Sequence, residues 1–179
     1  MTDTSRRIRE AYDDWAEIYD SNENKTRDLN AKILKSGFFD LKMKRVLEPG
    51  CGTGINSEYF AKNAASFTGV DLSEKMLQEA RKKIQSSNTT FLSGDITQKW
   101  KFEKSSFDFI SMNLVLEHIE DLSHIFREAF RVLDQNGKLY ISELHPYRQL
   151  RQSQAISGKV YPSKNRRRDI GRCISARCF

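Results

Sequence analysis

The 179-residue sequence lacks any apolar run near the roughly 20 residues that an α-helix needs to span a bilayer. Its first ten residues, MTDTSRRIRE, lack the apolar centre of a secretion signal. These two absences argue against a membrane protein and leave the cytoplasm as the predicted location.

Cysteine is scarce, with three residues in the chain. Cys51 stands alone, while Cys173 and Cys178 lie near the end of the sequence. This spacing predicts neither a disulfide framework nor a zinc site, and we expect no bound metal.

The first 150 residues also lack a large net charge. The whole chain carries +6, but residues 151–179 hold eight Lys or Arg and one Asp, which leaves −1 for the rest. The pI of 9.2 is therefore a property of the last segment. Because the first 150 residues are near neutral, we predict no nucleic-acid partner.

Helices and strands alternate along the chain. Apolar residues at three-and-four spacing predict a first helix around Ile8 to Tyr19. Further helices are predicted over Thr26–Ser36, Ile55–Lys62, the segment after the N-cap Ser73, and Leu122–Leu133. Strands are predicted over Arg45–Leu47, a run ending at Asp71, Thr89–Leu92, Phe107–Met112, and Lys138–Glu143 after an Asn136–Gly137 turn. The pattern is typical of a doubly wound, Rossmann-like α/β fold, in which helices cover both faces of a mostly parallel, five-stranded sheet.

One compositional break divides the chain. We predict a core over residues 1–150, made of an N-terminal helical cap (1–40) and a cofactor-binding sheet (41–150). Residues 151–179 form a basic, atypical tail that we expect to be disordered.

The stretch VLEPGCGTGIN places Gly50, Gly52 and Gly54 directly after the first strand. In such a sheet, ligands bind beyond the carboxyl ends of the strands, where backbone N–H groups and a helix dipole meet. Asp71 ends the second strand, 21 positions after Gly50, where a carboxylate can accept hydrogen bonds from two ribose hydroxyls. Asp95 follows the third strand and can accept a bond from an adenine amine, with Ile96 against the ring. The sequence therefore predicts an adenosine site.

The spacing of the glycines separates two adenosine cofactors. A dinucleotide loop reads G-x-G-x-x-G, whereas this loop reads G-x-G-x-G and follows Glu48 by two positions. A carboxylate beside the loop repels a pyrophosphate but suits a ligand that carries an ammonium and a sulfonium. S-adenosyl-L-methionine is favoured, and a nicotinamide-dependent oxidoreductase is the disfavoured alternative.

Several motifs together resemble the class I S-adenosylmethionine-dependent methyltransferases, especially those that act on small molecules. They are YDDWAEIYD, VLEPGCGTG, GVDLSEKMLQEAR, SGDIT, FDFISMNLVLEHIEDL and FREAFRVLDQNGKLYISELHP, and they extend from Ala11 to Tyr147. The resemblance implies methyl transfer to a small-molecule acceptor.

The resemblance also implies the roles of twelve cofactor-binding residues. Glu48 and the three glycines hold the methionine end, Asp71 with Leu72 holds the ribose, and Asp95 with Ile96 binds adenine. Asn113 and Leu114 contact the methionyl amine. Tyr12 and Tyr19 close an N-terminal helix over the cofactor, where an aromatic face attracts a sulfonium.

Plainer interpretations stay open for several of these residues. Asp71 and Asp95 can be helix caps, and Tyr12 and Tyr19 can be core residues. His118 is interpreted as structural. No catalytic residue is identified; His145, after the fifth strand, is the weak candidate, with a solvent-exposed histidine as the alternative.

The end of the sequence departs from the family pattern. The family continues for one helix and two more strands, whereas the last 29 residues lack helical or alternating periodicity. A frameshift or truncation, or a genuine basic extension, would explain this. Without further strands the fifth strand forms an open edge that favours self-association. A cofactor-binding but catalytically silent module is the alternative to an active enzyme.

Overall fold

The computed structural model of the chain describes residues 3–37 and 39–144. The helices are α1 (Asp3–Trp15), α2 (Lys25–Lys35), α3 (Ser57–Asn63), α4 (Glu74–Lys83) and α5 (Leu122–Val132), with one 3₁₀ turn at Leu116–His118. The strands are β1 (Arg45–Pro49), β2 (Ser66–Asp71), β3 (Thr89–Ser93), β4 (Phe107–Asn113) and β5 (Leu133–Ser142).

The five strands form one parallel sheet in the order β3-β2-β1-β4-β5. The order reverses between β1 and β4, so the carboxyl ends of these two strands flank the crevice where α/β sheets bind ligands. The predicted fold class, a doubly wound parallel sheet of five strands, is confirmed.

Polar side chains cap the starts of three helices, and one of them, Ser73, is predicted from the sequence. Asn24 accepts a hydrogen bond from Arg27 N at the start of α2, and Asp121 accepts one from His124 N at the start of α5. Ser73 has an extended backbone and accepts a bond from Met76 N, as expected of the N-cap of α4. Each cap satisfies a backbone N–H that the helix itself leaves without a partner.

Buried side chains form a core on each face of the sheet. On one face, α2, α3 and α4 cover Val46, Phe67 and Phe109. On the other face, α5 covers Leu47 and Ile110, which alternate with the first set along β1 and β4. The central strands β1 and β4 are thus buried from both sides, as is typical of a parallel sheet, whereas the edge strands β3 and β5 are partly exposed.

β5 begins earlier than the sequence predicts. Leu133 pairs with Phe107, but the next paired residue, Lys138, faces Phe109, so β5 carries three more residues than β4 over this interval. The expected turn at Asn136–Gly137 lies within this irregularity. Leu133 is buried, and a Cβ atom on Gly137 would lie 2.6 Å from its side chain. The segment therefore folds closely over Leu133 instead of forming a separate turn.

Some predictions fall on residues outside the described ranges. These are the candidate His145 and the basic tail over residues 151–179. The division of the core into residues 1–40 and 41–150 stays a prediction. Within residues 3–144, β5 pairs with β4 alone, and Ile141 on β5 is 39% exposed.

None of the helices in the described part of the chain is long and apolar enough to cross a membrane.

Candidate functional site

A cavity of about 360 Å³ lies at the carboxyl ends of the strands, beneath α1. Its walls come from α1, the segment after it, the glycine loop, the loops after β2, β3 and β4, and the start of α4. Ten of the twelve predicted cofactor-binding residues line it: Tyr12, Tyr19, Gly50, Gly52, Asp71, Leu72, Asp95, Ile96, Asn113 and Leu114.

The three loop glycines serve different purposes. All have positive φ, at 76°, 53° and 82° for Gly50, Gly52 and Gly54. A Cβ on Gly50 would overlap Val115, and one on Gly54 would lie 3.1 Å from Ala80 Cβ of α4. A Cβ on Gly52 would meet nothing within 4 Å. Gly50 and Gly54 therefore permit close packing, whereas Gly52 leaves open space in the wall of the cavity.

The Asp71 carboxylate accepts hydrogen bonds from the backbone of two loops, the glycine loop and the loop after β2. Its Oδ2 accepts a bond from Gly52 N at 2.8 Å, and its Oδ1 accepts one from Ser73 N at 2.9 Å. Burial raises the pKa of the carboxyl, and the backbone donors oppose that shift. Because a carboxylate has about four acceptor sites, Asp71 keeps capacity to accept a bond from a ligand beside these backbone donors.

One carboxylate oxygen of Asp95 has no hydrogen-bond donor among the described residues. Its Oδ1 accepts bonds from Thr97 N and from the Thr97 hydroxyl at 3.0 and 2.6 Å. Its Oδ2 is buried and has no hydrogen-bond partner among the described residues. A buried carboxylate oxygen is costly to leave unpaired, so this atom suits a ligand that donates a hydrogen bond.

Glu48 lies beneath the cavity and not in its wall. It is 1% exposed, and its carboxyl accepts bonds from Ser57 Oγ at 2.6 Å and Asn113 Nδ2 at 3.3 Å. Burial is the main cause that raises its pKa to about 8. Burial thus opposes the negative charge on which the sequence-based preference for a cationic ligand depends, and the part of Glu48 in ligand selection stays a prediction.

The loop after β4 is strained. Leu114 has φ of 54°, which is rare for a side chain with a Cβ and costs roughly 1–2 kcal/mol. Glu143, just past β5, holds this conformation because its Oε1 accepts bonds from Val115 N and Leu116 N, both at 2.9 Å. Strain of this kind is common at ligand sites, where a fixed backbone is needed.

The N-terminal segment is fastened over the cavity by three hydrogen bonds to different core elements. The Tyr12 hydroxyl and His118 Nε2 lie 2.8 Å apart. The Ser73 hydroxyl donates to Asp13 Oδ1 at 2.5 Å, and the Thr53 hydroxyl donates to Asp20 Oδ1 at 2.5 Å.

His118 lines the cavity and contacts the ring of Tyr12 edge-on, with centroids 5.5 Å apart. Burial lowers its pKa, so the imidazole is neutral near pH 7. The sequence interpretation of His118 as structural leaves out this contact with the covering helix. The one signal in the sequence was its place just after the fourth strand.

Two predicted residues do not line the cavity. Glu48 is buried within β1, and Gly54 packs against α4 and borders an open groove beside α2. Cys51 is buried, and its thiol pKa is raised well above its usual value by burial, which fits a packing role.

Comparison with known proteins identifies the family. The family described as "Methyltransferase domain" matches residues 47–141, which is more than half of the chain. The chain belongs to this methyltransferase family. Membership confirms the predicted family and its cofactor, S-adenosylmethionine, and does not support the nicotinamide alternative.

Individual relatives of this methyltransferase domain are enzymes of larger size. A malonyl-[acyl-carrier protein] O-methyltransferase from Legionella pneumophila is 28% identical over 96% of this chain and 63% of its own length. A ubiquinone biosynthesis O-methyltransferase from Coxiella burnetii is 35% identical over 59% of this chain and 45% of its own length. The chain thus spans between about half and two thirds of the curated relatives it matches.

Solved structures show the same fold. An S-adenosylmethionine dependent methyltransferase from Mesorhizobium loti is 28% identical, with a TM-score of 0.60, over 64% of this chain and 53% of that one.

The Legionella alignment covers 96% of this chain, and residues 1–150 are only about 84% of it, so the alignment extends past residue 150. The predicted truncation near Leu150 is accordingly not confirmed.

The geometry of the cavity fits S-adenosylmethionine, and this fit does not depend on the family match. The cavity combines open space above Gly52, a carboxylate held by backbone donors at Asp71, and an unpaired carboxylate oxygen at Asp95. A ligand with hydroxyl and amine donors matches these acceptors. In the described residues, no group of three or more His, Cys, Asp or Glu is arranged to hold a metal ion.

Proposed function

We propose that this chain binds S-adenosylmethionine in the cavity and transfers its methyl group to a small-molecule acceptor. The observation that carries the proposal is the unpaired, buried Oδ2 of Asp95, two strand ends away from the floor at Gly52. Asp71 would accept bonds from the ribose hydroxyls, and Asp95 would accept one from the adenine amine. The buried Oδ1 of Asn113, which also has no partner within the described part of the chain, would accept one from the methionyl amine.

The bound cofactor supplies an activated methyl group on a sulfonium. The chain must then orient the acceptor, exclude water and remove at most one proton. α1 lies over the cavity and is held there by its bonds to His118 and Ser73, a position from which it would limit the access of water. Tyr12 and Tyr19, whose ring centroids lie 6.3 Å apart, place aromatic faces on the wall where a cation is favoured.

The cavity extends past the predicted cofactor residues. Arg9, Gln98 and Glu120 line this further part and give it a polar wall, which suits a polar acceptor. The Legionella and Coxiella relatives are named as O-methyltransferases, which supports an acceptor oxygen. An oxygen acceptor carried by a small organic acid or phenol is our proposal for this chain.

Titration calorimetry tests the cofactor. S-adenosylmethionine should bind and NAD should not. Asp71→Ala should weaken binding by at least about 1.5–3 kcal/mol, the range for a hydrogen bond to a charged group. Asp108→Ala is the matched control, because Asp108 bonds Arg45 at the start of β4, at the opposite end of the strands.

Transfer itself requires a turnover assay with labelled S-adenosylmethionine and a panel of carboxylic acids and phenols. Methylated product that depends on Asp71 would support the enzyme. Tight cofactor binding with no product from any acceptor would favour the silent binding module. The cytoplasmic location and self-association through β5 stay predictions.

A further inference from the structure

Arg27 is a charged residue that the proposed function leaves unused. It lies in the first turn of α2 and is only 8% exposed. It is absent from the cavity wall and faces the open groove on the far side of the segment after α1. A guanidinium this buried needs several partners, so its contacts show what it does.

The Arg27 guanidinium bonds backbone carbonyls at both ends of residues 19–22 and the carboxylate of Asp28. Nη1 donates to Tyr19 O, and Nη2 donates to Asn22 O at 2.9 Å. Nε donates to Asp28 Oδ1 at 2.9 Å, which fixes the plane of the guanidinium. The guanidinium carbon also lies 5.5 Å from the centroid of the Tyr19 ring. One side chain therefore holds the backbone of residues 19–22 and covers one face of Tyr19.

This segment forms part of the cavity wall. Tyr19 lines the cavity. Asp20 accepts the bond from Thr53 in the glycine loop and pairs with Lys83 of α4. Residues 19–22 are thus held by Arg27 on one side and by the glycine loop on the other. A shift of this segment would move the aromatic wall relative to Gly52 and Asp71.

We propose that Arg27 is a positioning residue for the cofactor, which it influences through Tyr19 without touching it. The inference rests on the proposed function. This positioning role requires arginine, because the planar guanidinium reaches two carbonyl oxygens and a carboxylate at once, whereas the lysine ammonium presents one point charge.

The test compares Arg27→Met and Arg27→Lys with Arg45→Met. Arg45 is a matched control, since it also forms a two-point contact with an aspartate, Asp108, but at the opposite end of the sheet. By calorimetry, Arg27→Met should bind S-adenosylmethionine at least tenfold more weakly and Arg27→Lys should be intermediate. Arg45→Met should keep the wild-type affinity. Equal affinity of all four proteins would overturn the inference and leave the proposed function standing.

A double-mutant cycle distinguishes positioning from a general structural role. In a Tyr19→Ala background, Arg27→Met should weaken binding much less than it does in the wild type, because the wall that it positions is already gone. Fully additive losses would overturn the inference.

Hydrogen exchange covers the case in which Arg27→Met fails to fold. In Arg27→Lys, amides of residues 19–22 should exchange faster while those of β1 and β4 do not change. Unchanged exchange at residues 19–22 would contradict the proposed anchoring. A wild-type chain that does not bind S-adenosylmethionine would instead refute the proposed function and this inference together.

Discussion

Glu128 on α5 and Glu48 on β1 are both buried carboxyls, but their surroundings differ. Glu128 accepts bonds from Trp100 N at 2.8 Å and from Arg131 at 2.7 and 2.9 Å. Arg131 in turn donates to Trp100 O and Phe102 O. The guanidinium lowers the pKa of Glu128 to about 2, whereas burial among neutral donors raises the pKa of Glu48 to about 8.

The difference extends to the regions around the two residues. Around α5, polar groups pair with one another and connect the helix to the loop before β4. Around the cavity, positive φ angles are concentrated at Gly50, Gly52, Gly54 and Leu114, and the acceptors Asp95 Oδ2 and Asn113 Oδ1 have no partner among residues 3–37 and 39–144. The α5 region thus pairs its own polar groups, whereas the cavity region leaves acceptors that the proposed ligand would pair.

The largest expected effect is at Gly52. Gly52→Val should abolish measurable S-adenosylmethionine binding in calorimetry, because its side chain would occupy the open space in the cavity wall. Its φ of 53° should also cost roughly 1–2 kcal/mol of stability.

Gly37→Val is the matched control for Gly52→Val. Gly37 has φ of 84° and equally open surroundings, but it follows α2 outside the cavity. It should show a similar loss of stability with wild-type affinity. Binding retained by Gly52→Val would mean that the open space at Gly52 is not a ligand site.

A smaller effect, on stability alone, is expected at Glu128. Glu128→Ala should lower the free energy of unfolding by about 1.5–3 kcal/mol, because Trp100 N and Arg131 lose a charged acceptor. The lowered pKa means that this contribution is complete above pH 4.5 and is lost as pH falls toward 2. Urea unfolding at pH 7 and pH 3 measures both effects. A change in the S-adenosylmethionine affinity of Glu128→Ala would contradict the expectation that the α5 region affects stability alone.

The smallest effect concerns the pH dependence at Glu48. Between pH 4.5 and about 8 the unfolded chain has lost a proton that the folded chain keeps, so stability falls as pH rises. One proton limits the slope to about 1.4 kcal/mol per pH unit. Glu48→Gln should flatten this dependence in urea unfolding from pH 5 to pH 8. An unchanged slope would show that Glu48 is ionised in the folded protein.

The fold was predictable because its signals are local. Buried apolar runs ending in a carboxylate, such as the strand that ends at Asp71, and the spacing of Met76, Leu77, Ala80 and Ile84 need only neighbouring residues for their interpretation. The start of β5 was missed because burial of Leu133 depends on its packing beneath Gly137 and against the α5 face of the sheet.

The site was predictable in part. Turn and strand-end positions placed Asp71 and Asp95 at the cavity, but depth is not a property of spacing, so the burial of Glu48 beneath the cavity was not predictable. The contacts of Tyr12 with His118 join residues 106 positions apart, and those of Glu143 with Val115 join residues 28 apart. Neither leaves a pattern in the sequence.

The strand order also has a consequence for synthesis on the ribosome. Val46 at the centre of the sheet pairs with Phe67 on one side and with Phe109 on the other. At about 5–20 residues per second, the second neighbour is made some 3–13 s after Val46. During this interval the apolar β1 exposes an unpaired edge, which is a template for aggregation. We therefore expect nascent chains that stall before β4 to engage chaperones, and release from them to coincide with the appearance of residues 107–113.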